Sequence, residues 1–84
     1  MWFENVCSIA DADPYTKFEG KNCQGYIIQS GFTTLRAAKA ACSKNNYCRC
    51  IEDSDCYGYN WKITKGDALY SSIKGSCAWI KGKR

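Results

Sequence analysis

The sequence has no histidine, and this absence excludes several classes of catalytic site. Histidine is the commonest general base and the commonest metal ligand in proteins. Sites of the Ser-His-Asp or Cys-His type therefore cannot form. A cysteine-based zinc site is disfavoured as well, because no C-x-x-C pair occurs and only Cys48 and Cys50 stand close together. We predict no enzyme activity, no metal site and no cofactor.

Other features that indicate a location or a partner are also missing. No apolar run approaches the roughly 20 residues of a membrane-spanning helix, so we predict no membrane span. The net charge of +4 is spread along the chain, whereas nucleic-acid binding usually needs denser basic patches, so we predict no nucleic-acid partner. Residues 1–4 carry neither a basic n-region nor an apolar run, and we expect that a signal peptide has been removed before them.

Cysteine, by contrast, is abundant, with seven in 84 residues. This density is typical of short secreted chains, because a domain this small buries only about 60% of the surface of its unfolded chain and needs cross-links. We predict a secreted, extracellular protein. Its disulfides are drawn from Cys7, Cys23, Cys42, Cys48, Cys50, Cys56 and Cys77. Since the count is odd, one sulfur is left over, either as a buried free thiol or as half of a bridge that links a homodimer.

Local patterns predict one helix among several short antiparallel strands, which is an α+β fold class with a small sheet packed on one helix. The helix is predicted from Leu35 to about Lys44, with Thr33 or Thr34 as its N-cap and Asn45-Asn46 as a left-handed stop. The predicted strands cover residues 26–29, 57–63, 69–73 and 77–81. Residues 1–14 are predicted to be an N-terminal segment tied on by Cys7, residues 15–81 the domain, and residues 82–84 a basic tail.

Acidic and aromatic side chains provide the candidate functional residues. Glu52, Asp53 and Asp55 cluster between two cysteines, and we interpret them as a solvated turn rather than a catalytic or calcium site. Tyr59, Trp61 and Trp79 lie in strand-like patterns that favour the core, whereas aromatic residues beside loops are better surface candidates. The predicted binding residues surround the cysteine-rich loop and are Tyr47, Arg49, Tyr57, Tyr59 and Lys62.

Residues 34–48 resemble the helix of a PAN/apple domain, in which a helix opened by Ser or Thr carries a cysteine that bridges to another six residues further on. Cys42 and Cys48 match that spacing, although Ala38 stands where the family often has a second helical cysteine. Residues 76–81 are similar to the family's final strand, so the resemblance implies that Cys77 pairs with Cys7 or Cys23. Cys50 and Cys56 have no counterpart in the family. Either they bridge each other, or one of them bonds Cys23.

The resemblance implies a non-catalytic adhesion module that binds proteins or carbohydrates, with sites that vary among members. We therefore expect a secreted binding module, of the adhesion or lectin type, that recognises an extracellular protein or a glycan. Two alternatives remain open. Positive charge, aromatic content and the amidation-like ending Gly82-Lys83-Arg84 favour a secreted cationic toxin or defence peptide. The unpaired cysteine favours a structural or adhesive matrix protein linked as a dimer.

Overall fold

A computed structural model describes residues 14–71 and 75–82. Within these residues the chain forms seven strands and one helix. In chain order they are β1 (Tyr15–Glu19), β2 (Lys21–Cys23), β3 (Ile27–Phe32), α1 (Leu35–Lys44), β4 (Cys48–Asp53), β5 (Trp61–Lys65), β6 (Leu69–Ser71) and β7 (Cys77–Lys81). The predicted α+β class, with an antiparallel sheet packed on one helix, is confirmed for this part of the chain.

Five strands form one antiparallel sheet in the order β1-β7-β4-β5-β3, and β2 pairs with β6 in a separate two-stranded ribbon. Strand β4 lies at the centre, between β7 and β5, and Cys48, Cys50 and Ile51 on it are fully buried. This central strand was not among the predicted strands. The prediction that Glu52 and Asp53 lie in a solvated turn is wrong, because both residues end β4.

Helix α1 covers one face of the sheet and packs on β4 and β5. Its N-cap is Thr34, whose Oγ1 accepts a hydrogen bond from the Ala37 N–H at 3.0 Å. The fully buried residues Ala38 and Cys42 are small, so the helix axis approaches the sheet closely. At the other end Asn45 is extended, with φ −108° and ψ 114°, so the predicted left-handed stop is wrong at this residue.

A lysine from the last strand closes the C-terminal end of α1. The Lys81 ammonium donates hydrogen bonds to the carbonyl oxygens of Cys42 and Asn45, at 2.8 and 3.2 Å. The same carbonyls accept from the N–H groups of Asn45 and Cys48, each at 3.1 Å, and the cation at this end interacts favourably with the helix dipole. The end of the helix is thereby attached to β7 without a glycine cap.

The β2-β6 ribbon covers the opposite face of the sheet. Cys23 on the ribbon is bonded to Cys50 on β4, and both pack with Ala78. The Glu52 carboxylate accepts hydrogen bonds from Asn22 Nδ2 at 2.9 Å and from the Cys23 N–H at 2.8 Å. The molecule thus has three layers, with the helix on one side of the sheet and the ribbon on the other.

Residues 14–71 and 75–82 contain three disulfides, Cys42–Cys48, Cys23–Cys50 and Cys56–Cys77. The Cys42–Cys48 bond joins the two residues that the resemblance to a PAN/apple domain paired. The Cys23–Cys50 bond is one of the pairings that the sequence analysis left open. The third corrects the expectation for Cys77, which is bonded to Cys56 and not to the N-terminal region. The physical reason is strand pairing: Asp53 lies opposite Cys77 in the β4-β7 register, so the loop after β4 begins beside β7. Cys7 lies outside the described residues, so its predicted link does as well.

Two other predicted strands differ from the observed ones. Of the predicted strand 57–63 only residues 61–63 are in a strand, as the start of β5, because Tyr57 and Tyr59 lie in the loop that precedes it. Strand β3 extends further than predicted and pairs with β5 through two register shifts. Strand β7 has the predicted bounds, and its neighbour β1 brings Pro14 to Gly82, whose N–H donates to the Pro14 carbonyl at 2.7 Å.

Candidate functional site

The five predicted binding residues lie in four different places. Tyr57 and Tyr59 share the loop between β4 and β5 and are 84% and 79% exposed. Tyr47 follows the helix, with its ring 5.3 Å from the Lys65 ammonium. Arg49 lies on β4, and Lys62 on β5 donates to the Asn60 carbonyl at 3.5 Å. Only the two loop tyrosines line a common cavity.

That cavity, which we call the aromatic pocket, has a volume of about 380 Å³. It lies between the N-terminal end of α1 and the loop 54–60. The residues that define it are Lys17, Leu35, Tyr57, Tyr59, Trp61 and Trp79. Trp61 is buried and belongs to the core as predicted, whereas Tyr59 is exposed and its predicted core position is wrong.

The loop that carries the two tyrosines is held by an internal series of hydrogen bonds. The Asp53 carboxylate accepts from the Asp55 N–H at 3.1 Å, and the Asp55 carboxylate accepts from the Tyr57 N–H at 3.2 Å. The Gly58 N–H donates to the Asp55 carbonyl at 2.7 Å. Such Asx-type contacts fix the backbone of a tight turn.

Three further contacts attach the loop to the body of the protein. The Trp61 indole N–H donates to the Gly58 carbonyl at 3.1 Å, and the Cys56–Cys77 disulfide joins the loop to β7. The Cys56 N–H also donates to the Gly75 carbonyl at 2.8 Å. The exposed tyrosines are therefore carried on a loop with a defined backbone.

Asp53 is the residue around which this loop folds. It is only 4% exposed, and its Oδ2 is buried without a hydrogen-bond partner in the described part of the chain. A Cβ added to Gly58 would lie 2.6 Å from this Oδ2, so the approach of the loop to the carboxylate requires glycine. Asp55, by contrast, is exposed, as expected for a turn residue.

The wall of the pocket formed by β1 and β7 combines an indole ring with cations. The Lys39 ammonium lies 4.1 Å from the centroid of Trp79, and the Lys17 ammonium lies 5.8 Å from it, so both make cation–π contacts. Lys17 also forms an ion pair with Glu19 at 3.3 Å. The Trp79 Nε1 is buried and has no acceptor among the described residues.

Lys17 was missed in the sequence because β1 was not predicted as a strand, whereas Leu35 lies on the predicted helix and was not singled out. The register pairs Lys17 directly with Trp79, and only this pairing brings the lysine to the pocket. Charged residues alternate with other residues in 15–19, which is a period-two signal that could have indicated a strand.

The lining of the pocket is aromatic and cationic. Of the residues that line it, none carries a carboxylate. Over residues 14–71 and 75–82, no group of three or more His, Cys, Asp or Glu side chains is placed to hold a metal ion. Aromatic rings and an ammonium group are suited to contact a ligand through stacking and hydrogen bonds.

Comparison of the chain with protein-family models, curated proteins and solved structures gives no match. In the described part of the chain no helix has the length and apolar character needed to cross a membrane.

Proposed function

We propose that this protein is a secreted, non-catalytic binding module that recognises a carbohydrate or a protein outside the cell through the aromatic pocket. The observation that carries the proposal is the loop 54–60, which holds two strongly exposed tyrosines in place with hydrogen bonds and a disulfide. Preorganised aromatic side chains lose little conformational freedom when a ligand binds.

The composition of the pocket supports recognition of a ring or an apolar side chain. Tyr57 and Tyr59 offer aromatic faces, and Leu35 and Trp61 extend the apolar surface into the protein. Tyrosine and tryptophan are the residues most often found at binding hot spots.

The disulfides support an extracellular location, because such bonds form and persist in oxidising compartments. A PAN/apple-type module is supported by the single helix on an antiparallel sheet and by the Cys42–Cys48 pair. The Cys56–Cys77 pair departs from the expected pattern and accounts for the distinctive loop.

A binding screen with matched variants tests the proposal. The disulfide-intact protein is applied to a glycan array and used in a pull-down of extracellular proteins. Tyr57→Ala/Tyr59→Ala should weaken the interaction that is found by about tenfold or more. The control is Tyr26→Ala/Tyr70→Ala, which removes two exposed tyrosines outside the pocket and should change affinity less than about twofold.

A third variant, Tyr47→Ala, tests the wider set of predicted binding residues. Tyr47 is 70% exposed but does not line the pocket, so we expect its removal to resemble the control. If correctly folded protein bound nothing in either screen, the proposed function would be rejected. Equal losses in the Tyr57/Tyr59 variant and the control would reject the pocket as the site.

A further inference from the structure

Cations that are scattered in the sequence lie along one side of the folded molecule. They come from β1, α1, β4 and β7 and are Lys17, Arg36, Lys39, Arg49 and Lys81. Each lines one of three adjoining cavities, of which the first is the aromatic pocket. Together these cavities form a continuous surface, which we call the basic groove.

The second cavity runs beside the helix and has a volume of about 790 Å³, with Arg36 and Lys39 on its wall. It shares Leu35 with the aromatic pocket. The third cavity, of about 340 Å³, contains Arg49 and Lys81 and shares Pro14 and Ser43 with the second. The helical part of the groove, residues 35–43, is on the order of 12 Å long at 1.5 Å per residue.

Among residues 14–71 and 75–82, no carboxylate lines any of these three cavities. The carboxylates in the described part of the chain are Glu19, Glu52, Asp53, Asp55 and Asp67. Glu19 forms an ion pair with Lys17 but does not itself line the aromatic pocket. Glu19 and Asp55 line a different cavity. The fold therefore separates the charges, although the sequence intermixes them.

At the third cavity two cations face the same space. The Lys81 ammonium is fixed by the carbonyl oxygens of Cys42 and Asn45, at 2.8 and 3.2 Å. The Arg49 guanidinium makes no hydrogen bond or ion pair with the described residues. Burial and, secondly, the charge of Arg49 lower the pKa of Lys81 from its ordinary value. An anion placed between the two side chains would offset their repulsion.

We propose that the basic groove binds an anionic polysaccharide, that is, a glycan chain carrying sulfate or carboxylate groups. The inference rests on the proposed binding function and specifies its ligand. One sugar ring packs against Tyr57 and Tyr59, and the acidic groups of the following sugars meet the cations along the helix and at the third cavity. Charge complementarity along an extended groove selects a linear polyanion over a neutral glycan.

The arrangement favours a polysaccharide over single-stranded nucleic acid. Nucleic-acid channels present a series of aromatic faces on which successive bases stack. Here the rings in the middle of the groove lie beneath ammonium groups, with Lys39 4.1 Å from the centroid of Trp79 and 5.6 Å from that of Tyr15. The fully exposed rings are confined to the end of the groove at Tyr57 and Tyr59.

The experiment measures binding of the disulfide-intact chain to heparin, used as a sulfated probe, to neutral dextran and to oligo(dT) of similar charge. We expect heparin binding that weakens with added salt, because the contacts are exposed ion pairs. Arg36→Gln/Arg49→Gln should weaken it by about tenfold, since two exposed charge contacts are lost. Lys21→Gln/Lys65→Gln removes the same net charge outside the groove and should have less than about twofold effect.

Arg36→Gln alone, at an exposed helix position, gives a smaller loss in the same direction and serves if the double variant does not fold. Equal losses in the groove and control variants, or tighter binding of oligo(dT) than of heparin, would overturn the inference. Binding of a neutral glycan or a protein through Tyr57 and Tyr59, without heparin binding, would overturn it but leave the proposed function intact. Absence of every interaction would reject both.

Discussion

The two faces of the five-stranded sheet are covered in different ways. On the helix side, Ile51, Ile63 and Trp61 pack against small helical residues, and the local disulfide there closes a segment of only six residues' separation. On the ribbon side the apolar cluster is smaller, and the Cys23–Cys50 bond spans 27 residues. The hydrogen bonds that the Glu52 carboxylate accepts also link the ribbon to this face of the sheet. Apolar burial therefore dominates one face, and covalent and polar links dominate the other.

The largest expected effect comes from removing the long-range disulfide. Cys23→Ala/Cys50→Ala should lower the free energy of unfolding by about 3.5 kcal/mol, since a bond that closes a longer loop restricts the unfolded chain more. The control, Cys42→Ala/Cys48→Ala, removes a disulfide that closes only a short loop. Its free energy of unfolding should fall by only about 2.5 kcal/mol. Both are measured by urea unfolding. A greater loss in the control would show that the helix face depends more on its disulfide than the comparison implies.

An intermediate effect is expected from the polar link on the ribbon face. Glu52→Ala leaves the Asn22 amide and the Cys23 N–H without their acceptor and should destabilise the protein by about 2 kcal/mol. Asp67→Ala removes an exposed carboxylate and should change stability by less than about 0.5 kcal/mol. Urea unfolding of both variants checks this. Similar values for the two would mean that water replaces the Glu52 contacts.

The smallest expected effect concerns Lys81 on the helix face. Because its pKa is lower in the folded protein than in the unfolded chain, the folded state holds fewer protons just below pH 10.5. The free energy of unfolding should therefore rise slightly as pH increases towards that value. Arg49→Gln removes one cause of the shift, so the pKa of Lys81, followed by NMR titration, should move upward. An unchanged pKa would show that burial alone sets it.

Local signals account for the parts of the fold that were predicted correctly. Helix α1 begins after a capping threonine and contains four alanines, and its bounds match the prediction. Strand β4 was missed because it carries two carboxylates between cysteines, a pattern typical of a loop. Glu52 is tolerated there only because residues of β2, about 30 positions away, donate hydrogen bonds to it.

The candidate site was predicted only in part, again for a tertiary reason. Tyr57 was predicted to lie at the surface, and it does. Tyr59 follows it at the two-residue spacing of a strand. The loop conformation depends on Asp53 and on the Cys56–Cys77 bond, which a period-two pattern does not contain. The grouping of cations depends on the pairing of β1 with β7 and of β7 with β4, and these strands are far apart in the sequence.

The pairing of the first and last strands has an architectural consequence. Pro14 and Gly82 are joined by a backbone hydrogen bond of 2.7 Å, so the polypeptide enters and leaves this body at the same point. A unit with adjacent ends can be inserted into a surface loop of a larger host without separating the flanking segments of that host. It can also be closed into a ring by a short peptide, which would leave every strand pairing unchanged.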